Sequence, residues 1–151
     1  MYARILVPLD GSDTAARGLQ EAAALARELH ARLHLLHVID EFSLRVDVVA
    51  MVNLDELRQS MRLQGEAMLA KARQLAADQG VTADTHLIET SRGRVSEVIL
   101  DQAKALGCGL IVMGTHGRRG FSRTVIGSDA EQVLRGSSLP VLLVRQPEGI
   151  P

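Results

Sequence analysis

The sequence predicts an α/β fold: a five-stranded parallel sheet in the order 3-2-1-4-5, with helices on both faces in a three-layer sandwich. Three observations predict it. Short apolar runs alternate with longer helical stretches along the whole chain, the pattern of a parallel sheet covered on both sides. Runs such as ILV at 5–7 and LIVM at 110–113 are continuously apolar, which suits strands buried on both faces. No internal repeat or low-complexity linker interrupts the alternation, and 151 residues fit one domain spanning 1–151. Right-handed crossovers in a five-stranded sheet then favour the order 3-2-1-4-5, which places helices on both faces.

ARILVPL at 3–9 reads as the first strand. The stretch 13–31 is rich in alanine and leucine, and Leu19, Ala22, Ala23, Ala26 and Leu29 fall on one helical face. Ser12 or Asp13 can cap its first turn. LHLLHVI at 33–39 is the second strand. A helix follows from about 54 to 79, with Leu54, Leu57, Met61, Met68, Ala72 and Leu75 as its stripe. Asn53 with Glu56 resembles a capping box, and Gly80 marks the stop. ADTHLIE at 83–89 is the third strand. Val95, Val98, Ile99, Ala103 and Leu106 mark a third helix ending near Gly107. GLIVMG at 109–114 is the fourth strand, a fourth helix lies within 126–135, and PVLLVR at 140–145 is the fifth strand. The tail QPEGIP should fray. EFSLRVDVVAMVN at 41–53 is too apolar for a free surface loop; a lid, an oligomer contact and a short extra helix are the readings open for it.

Composition excludes several classes. The net charge of -1 gives no basic excess for nucleic acid, and 2% aromatic content leaves little for base stacking. No apolar run approaches the roughly 20 residues that span a bilayer, so no membrane association is expected. The opening MYARILVPLDGSD has neither a long apolar core nor a small-residue cleavage site. The single cysteine, Cys108, forms no internal disulfide, which fits a reducing compartment. A soluble cytoplasmic protein is expected.

In a doubly wound sheet, ligands bind beyond the carboxyl ends of the strands where the winding reverses. Here that point lies between strands one and four. The turn PLDGS at 8–12 and the stretch GTHGRRGFSRTVIGS at 114–128 would then face each other across one crevice. The second stretch carries four glycines, three arginines and two serines. Glycines let a ligand approach backbone N–H groups closely, and consecutive N–H groups form a concavity for anions. Gly127 and Ser128 open the fourth helix, whose first turn offers unpaired donors. Ser122 and Ser128 add hydroxyls. Each hydrogen bond to a charged oxygen contributes about 1.5–3 kcal/mol. Micromolar binding needs about 8 kcal/mol net, so several such bonds plus adenine burial suffice for a phosphate-bearing ligand.

The stretch is neither a Walker loop nor a dinucleotide fingerprint. No Gly-Lys-Ser/Thr occurs, the two lysines Lys71 and Lys104 fall on predicted helices, and the glycines are spaced Gly114, Gly117, Gly120. The spacing it does have is Gly, two residues, Gly, nine residues, Gly, Ser, complete as Gly114, Gly117, Gly127 and Ser128. With ILVPLDGS at the start, LLHVID in strand two and PVLLV near the end, the chain resembles the ATP-binding branch of the universal stress protein family along nearly its whole length. The resemblance implies an adenine nucleotide alpha hydrolase-like fold. It implies that Asp10 and the backbone near Pro8 contact adenosine, that the Val38 backbone holds the adenine edge, and that Met113 lines the same pocket. It places Gly114, Gly117, Arg118, Gly120, Gly127 and Ser128 around ribose and phosphates. His116, Arg119 and Asp129, in or beside the same stretch, complete the candidate nucleotide-binding set, although the resemblance assigns no role to Arg119 or Arg123. It further implies ATP with Mg or Mn bound through the phosphates, and a homodimer joined through the fifth strand (Val141, Leu143, Arg145).

Other chemistry is weaker. Asp10 could serve as a helix cap. A response-regulator pocket would need a phospho-acceptor Asp on strand three and a Lys beyond strand five, but strands three and four end IETS and MGTH. His34 and His37 sit three apart on a strand and so point to opposite faces; a shared metal is not expected. His30 and His86 read as surface or packing residues, His116 as structural rather than as a general base, and Cys108 as a buried small residue. No catalytic residue is assigned. The function expected is a dimeric ATP-binding stress-response or signalling module acting on an unknown downstream protein. Two alternatives stay open: a slow ATPase or phosphotransferase with at most weak hydrolysis, and a structural dimerisation domain that binds no nucleotide.

Overall fold

The computed structural model describes residues 1–41, 53–116 and 125–147. In chain order the elements are β1 (Arg4–Pro8), α1 (Asp13–Leu29), β2 (Arg32–Asp40), α2 (Leu54–Asp78), β3 (Ala83–Thr90), α3 (Val95–Ala105), β4 (Leu110–Gly114), α4 (Ser128–Gly136) and β5 (Val141–Val144). The strands pair parallel in the order β3-β2-β1-β4-β5. The expected sheet is therefore present, with element ends within a few residues of those read from the pattern. Most of segment 41–53 lies outside the described residues.

Alternation along each strand builds two cores. Ile5, Val7, Leu33, Leu35, Leu110 and Val112 face α1 and α2. Leu6, Leu36, Ile111 and Met113 face Ile99 and Ala103 of α3 and Ala130 and Val133 of α4. Each fully buried Leu, Ile or Val contributes about 1.5–3 kcal/mol, so both faces of the sheet are held. The alanines of α1 let it lie close to the sheet. A Cβ on Gly18 would stand 3.3 Å from the Gly114 amide nitrogen.

Two apolar stripes differ from the sequence pattern. Leu29 is 43% exposed, because α1 ends there and His30 turns into the left-handed region at φ 53°. On α2 the buried residues are Gly65, Leu69, Ala72 and Ala76, whereas Leu54 and Leu75 are exposed and Leu57, Met61 and Met68 only partly covered. The helix seats on its small residues, since a Cβ at Gly65 would stand 2.9 Å from the His37 ring and 3.0 Å from Leu87. Asn53 caps α2 through the Asp55 amide at 3.0 Å. The Arg62 guanidinium grips Glu89 at 2.7 and 3.0 Å and so ties α2 to β3. Cys108 is buried, and burial pushes its thiol up to about 11.

The histidines divide between the faces as the strand period requires. His34 Nδ1 meets His86 Nε2 at 3.0 Å, beside the Arg32–Asp84 pair, while His34 Nε2 is buried without a partner among the described residues. Burial lowers the His34 pKa below its usual 6.5, and His86, Arg32 and Arg4 push it the same way against the opposing pull of Asp84. A histidine held neutral in the fold stabilises above its unfolded pKa, and that stability is lost as pH falls through the window below 6.5. Urea unfolding at about pH 7.5 and about pH 5.5 checks this. His34→Leu should lose less stability between the two than the parent protein, and an equal loss in both would refute the assignment.

Candidate functional site

The turn after β1 is organised by its own side chains. The Ser12 amide donates to Asp10 Oδ1 at 2.9 Å, an Asx turn. Gly11 takes φ 83°, a left-handed conformation that favours glycine. Ser12 caps α1, its Oγ accepting from the Ala15 amide at 3.1 Å. Asp10 therefore orders the turn with one carboxylate oxygen, and Ser12 rather than Asp13 is the cap. Sequence reasoning set capping against ligand contact for Asp10; the turn occupies Oδ1 only.

Hydroxyls lace this turn to the end of β4. Thr14 Oγ1 donates to the His116 carbonyl oxygen. With its proton committed there, Thr14 accepts from Ser12 Oγ at 3.2 Å. The turn after β1 thus reaches residue 116 through two side chains. Thr115, buried, accepts from the Gly127 amide at 2.6 Å and donates its own amide to Val144 at 3.0 Å. Thr115 Oγ1 lies 2.8 Å from His116 Nδ1, and His116 Nε2 is buried without a partner among the described residues. Thr14 and Thr115 were not singled out from sequence. The available signal was a hydroxyl residue in the first turn of a helix that starts at the switch point.

Gly114 has a packing reason of its own. A Cβ there would stand 2.7 Å from the Thr14 carbonyl carbon and 2.8 Å from its oxygen. The first turn of α1 can touch β4 only where residue 114 lacks a side chain. Gly127 is the N-cap of α4 at φ -59°, a conformation open to any residue, and Ser128 and Asp129 are exposed in the first turn. Desolvation raises the Asp129 pKa, and the charges of Asp10 and Asp40 raise it further. Carboxyls at the ends of β1 and β2 therefore act on a carboxyl at the start of α4.

The remaining candidates divide. Pro8 and Val38 are half-buried at the ends of β1 and β2. Met113 is buried in the core facing α3 and α4. Gly117, Arg118, Arg119 and Gly120 lie outside the described residues. At the fifth strand, Val141 and Leu143 pack against the core, whereas Leu142 and Arg145 are exposed. Among the described residues no group of three His, Cys, Asp or Glu is placed to hold a metal ion, and no helix is long and apolar enough to cross a membrane.

A doubly wound sheet whose winding reverses between β1 and β4, with the turn after β1 tied to the end of β4, defines a class of α/β folds that bind ligands at that point. The profile of the universal stress protein family matches residues 1–145, and the chain belongs to that family. It is 34% identical to universal stress protein YxiE of Bacillus subtilis, over 96% of this chain and 100% of the relative. The solved structure of hypothetical protein MJ0577 superposes with a TM-score of 0.85 at 28% identity, covering 99% of each chain. A family structure from Burkholderia pseudomallei gives 0.77 at 34% identity, covering 95% of this chain and 96% of that one. Two more distant family structures, at 21% and 22% identity with TM-scores of 0.68 and 0.67, are complexes with cAMP and with dAMP. They cover 95% of this chain and 97% and 98% of their own, and share the fold.

The Gly114 contact makes a direct prediction. Gly114→Ala should lower stability by about 1–3 kcal/mol, the usual cost of overpacking, because the new Cβ meets backbone rather than a movable side chain. Urea unfolding measures it. An unchanged midpoint would mean that α1 does not rest on β4 there.

Proposed function

We propose that the protein is a nucleotide-binding module of the ATP-binding branch. It holds ATP in the crevice between the turn after β1 and the segment after β4. The observation that carries this reading is the Ser12–Thr14–His116 chain, which joins two turns about a hundred residues apart at the switch point. In the bound state Asp10 and the Pro8 backbone face adenosine and the Val38 backbone holds the adenine edge, beside Met113. Gly114, Gly117, Arg118, Arg119, Gly120, Gly127, Ser128 and Asp129 surround ribose and phosphates. His116 Nε2, buried and without a partner among the described residues, is available as a polar contact once ligand is present. The cAMP and dAMP complexes support adenine recognition by relatives with this fold.

Charge supports a cation with the nucleotide. Asp10 and Asp40 already act against the Asp129 carboxylate, and a triphosphate would add to that repulsion. Mg or Mn carried on the phosphates offsets the repulsion without a protein cage. Arginines at 118, 119 and 123 do the same from the chain. The protein acts in the cytoplasm as a homodimer paired through β5, whose outer edge is unpaired among the described residues and carries the exposed Leu142 and Arg145. Nucleotide loading then alters what the dimer presents to a downstream protein.

Heat denaturation of the purified protein should release adenine nucleotide, and chromatography identifies ATP, AMP or cyclic AMP. In calorimetric titration with MgATP, Gly127→Val should weaken binding at least about tenfold, or ~1.4 kcal/mol. Its thermal midpoint should fall only modestly, since φ -59° suits valine while valine caps a helix less well than glycine. Undiminished affinity in the folded variant would refute the loop's role. Steady ATP turnover abolished by Asp10→Ala would favour a weak ATPase instead.

A further inference from the structure

His37 lies on the opposite face of β2 from the His34–His86 pair, half-buried beneath α2. Its Nδ1 is 2.7 Å from the Leu9 carbonyl oxygen. A carbonyl can only accept, so Nδ1 carries a proton. Leu9 is the last residue that β2 holds through the backbone. Pairing of β1 with β2 runs to Pro8↔Leu36, and the Leu9 amide donates to Leu36 at 2.7 Å. Beyond it the chain turns into Asp10 and Gly11. The imidazole thus fastens the carbonyl side of the peptide immediately before the candidate adenosine contact.

We propose that His37 is a positioning residue for the ligand crevice, clamping Leu9 to β2 and thereby setting where Asp10 and the Ser12 amide stand. This rests on the nucleotide reading above and deepens it. His37 also precedes Val38, whose backbone is the candidate adenine contact, so one side chain holds two walls of the crevice in register. Gly65 is the seat. A Cβ there would stand 2.9 Å from His37 Cδ2, so only a residue without a side chain lets α2 close over the ring with the ring still turned to Leu9. The position of α2 on the sheet is thereby coupled to the turn that meets the ligand.

Two variants and one measurement on the parent protein test the clamp. Asn places its Nδ2 amide near the position of the histidine Nδ1, so His37→Asn keeps the donor; His37→Leu removes it. MgATP titration should find His37→Asn within about threefold of the parent and His37→Leu at least about tenfold weaker. Amide exchange at Ser12 should quicken at least about tenfold in His37→Leu and stay near parental in His37→Asn, with core amides of β4 unchanged in both. Equal loss of affinity in both variants, or parental Ser12 exchange in His37→Leu, would overturn the proposal. If no variant and no parent protein binds MgATP, the nucleotide reading fails while the Ser12 exchange still decides the clamp. Should His37→Leu not fold, the nitrogen spectrum of the parent protein decides. A ring protonated at Nδ1 is required, and a ring protonated at Nε2 alone refutes the clamp.

Discussion

The first turn of α1 rests on the end of β4 with no side chain between them. Gly114 admits the Thr14 backbone at a distance no Cβ would permit, Gly18 admits the Gly114 amide one turn later, and Thr14 then reaches the His116 carbonyl. Everything at the switch point follows from this approach. It brings the turn after β1 within hydrogen-bonding reach of the segment after β4, and Thr115 carries the connection on to Gly127 at the start of α4. A Cβ at position 114 would meet the Thr14 backbone and push α1 outward.

Among the described residues, carboxylates rather than a lysine stand at the switch point, and the chain's two lysines lie on α2 and α3. Asp10 spends one oxygen on the Ser12 amide. Asp129 is raised by desolvation and by two neighbouring acids. In the proposed reading the ligand brings its own cation and accepts from backbone N–H groups. The net charge of the chain is -1, so long-range attraction does little to gather anions, and recognition falls to local geometry.

Helix placement on the sheet is decided by small residues more than by large ones. The stripe read on the second helix was Leu54, Leu57, Met61, Met68, Ala72 and Leu75; Ala72 is buried and Met68 packs on the core, but the other buried positions are Gly65, Leu69 and Ala76. A leucine count weighs hydrophobicity, whereas close packing rewards the side that lets the helix axis approach. The same reason explains Leu29, which fits the helical period but falls at the end of α1, where no neighbour covers it. In the strands the reading was accurate, because a two-residue period leaves little choice once both faces are apolar.

The sequence by itself determined the fold class, the order of elements, the sheet order and the family, since alternation, caps and glycine spacing are local patterns that survive in a linear string. It also singled out Asp10, Gly114 and Gly127, which the fold brings to the β1–β4 junction. Tertiary structure alone decided that Thr14 grips His116, that His34 pairs with His86 and that His37 holds Leu9. Those partners lie 28 to 102 residues apart in the chain. A hydroxyl or imidazole reads the same in a sequence whatever it touches, and only the winding of the sheet brings a particular carbonyl within reach of it.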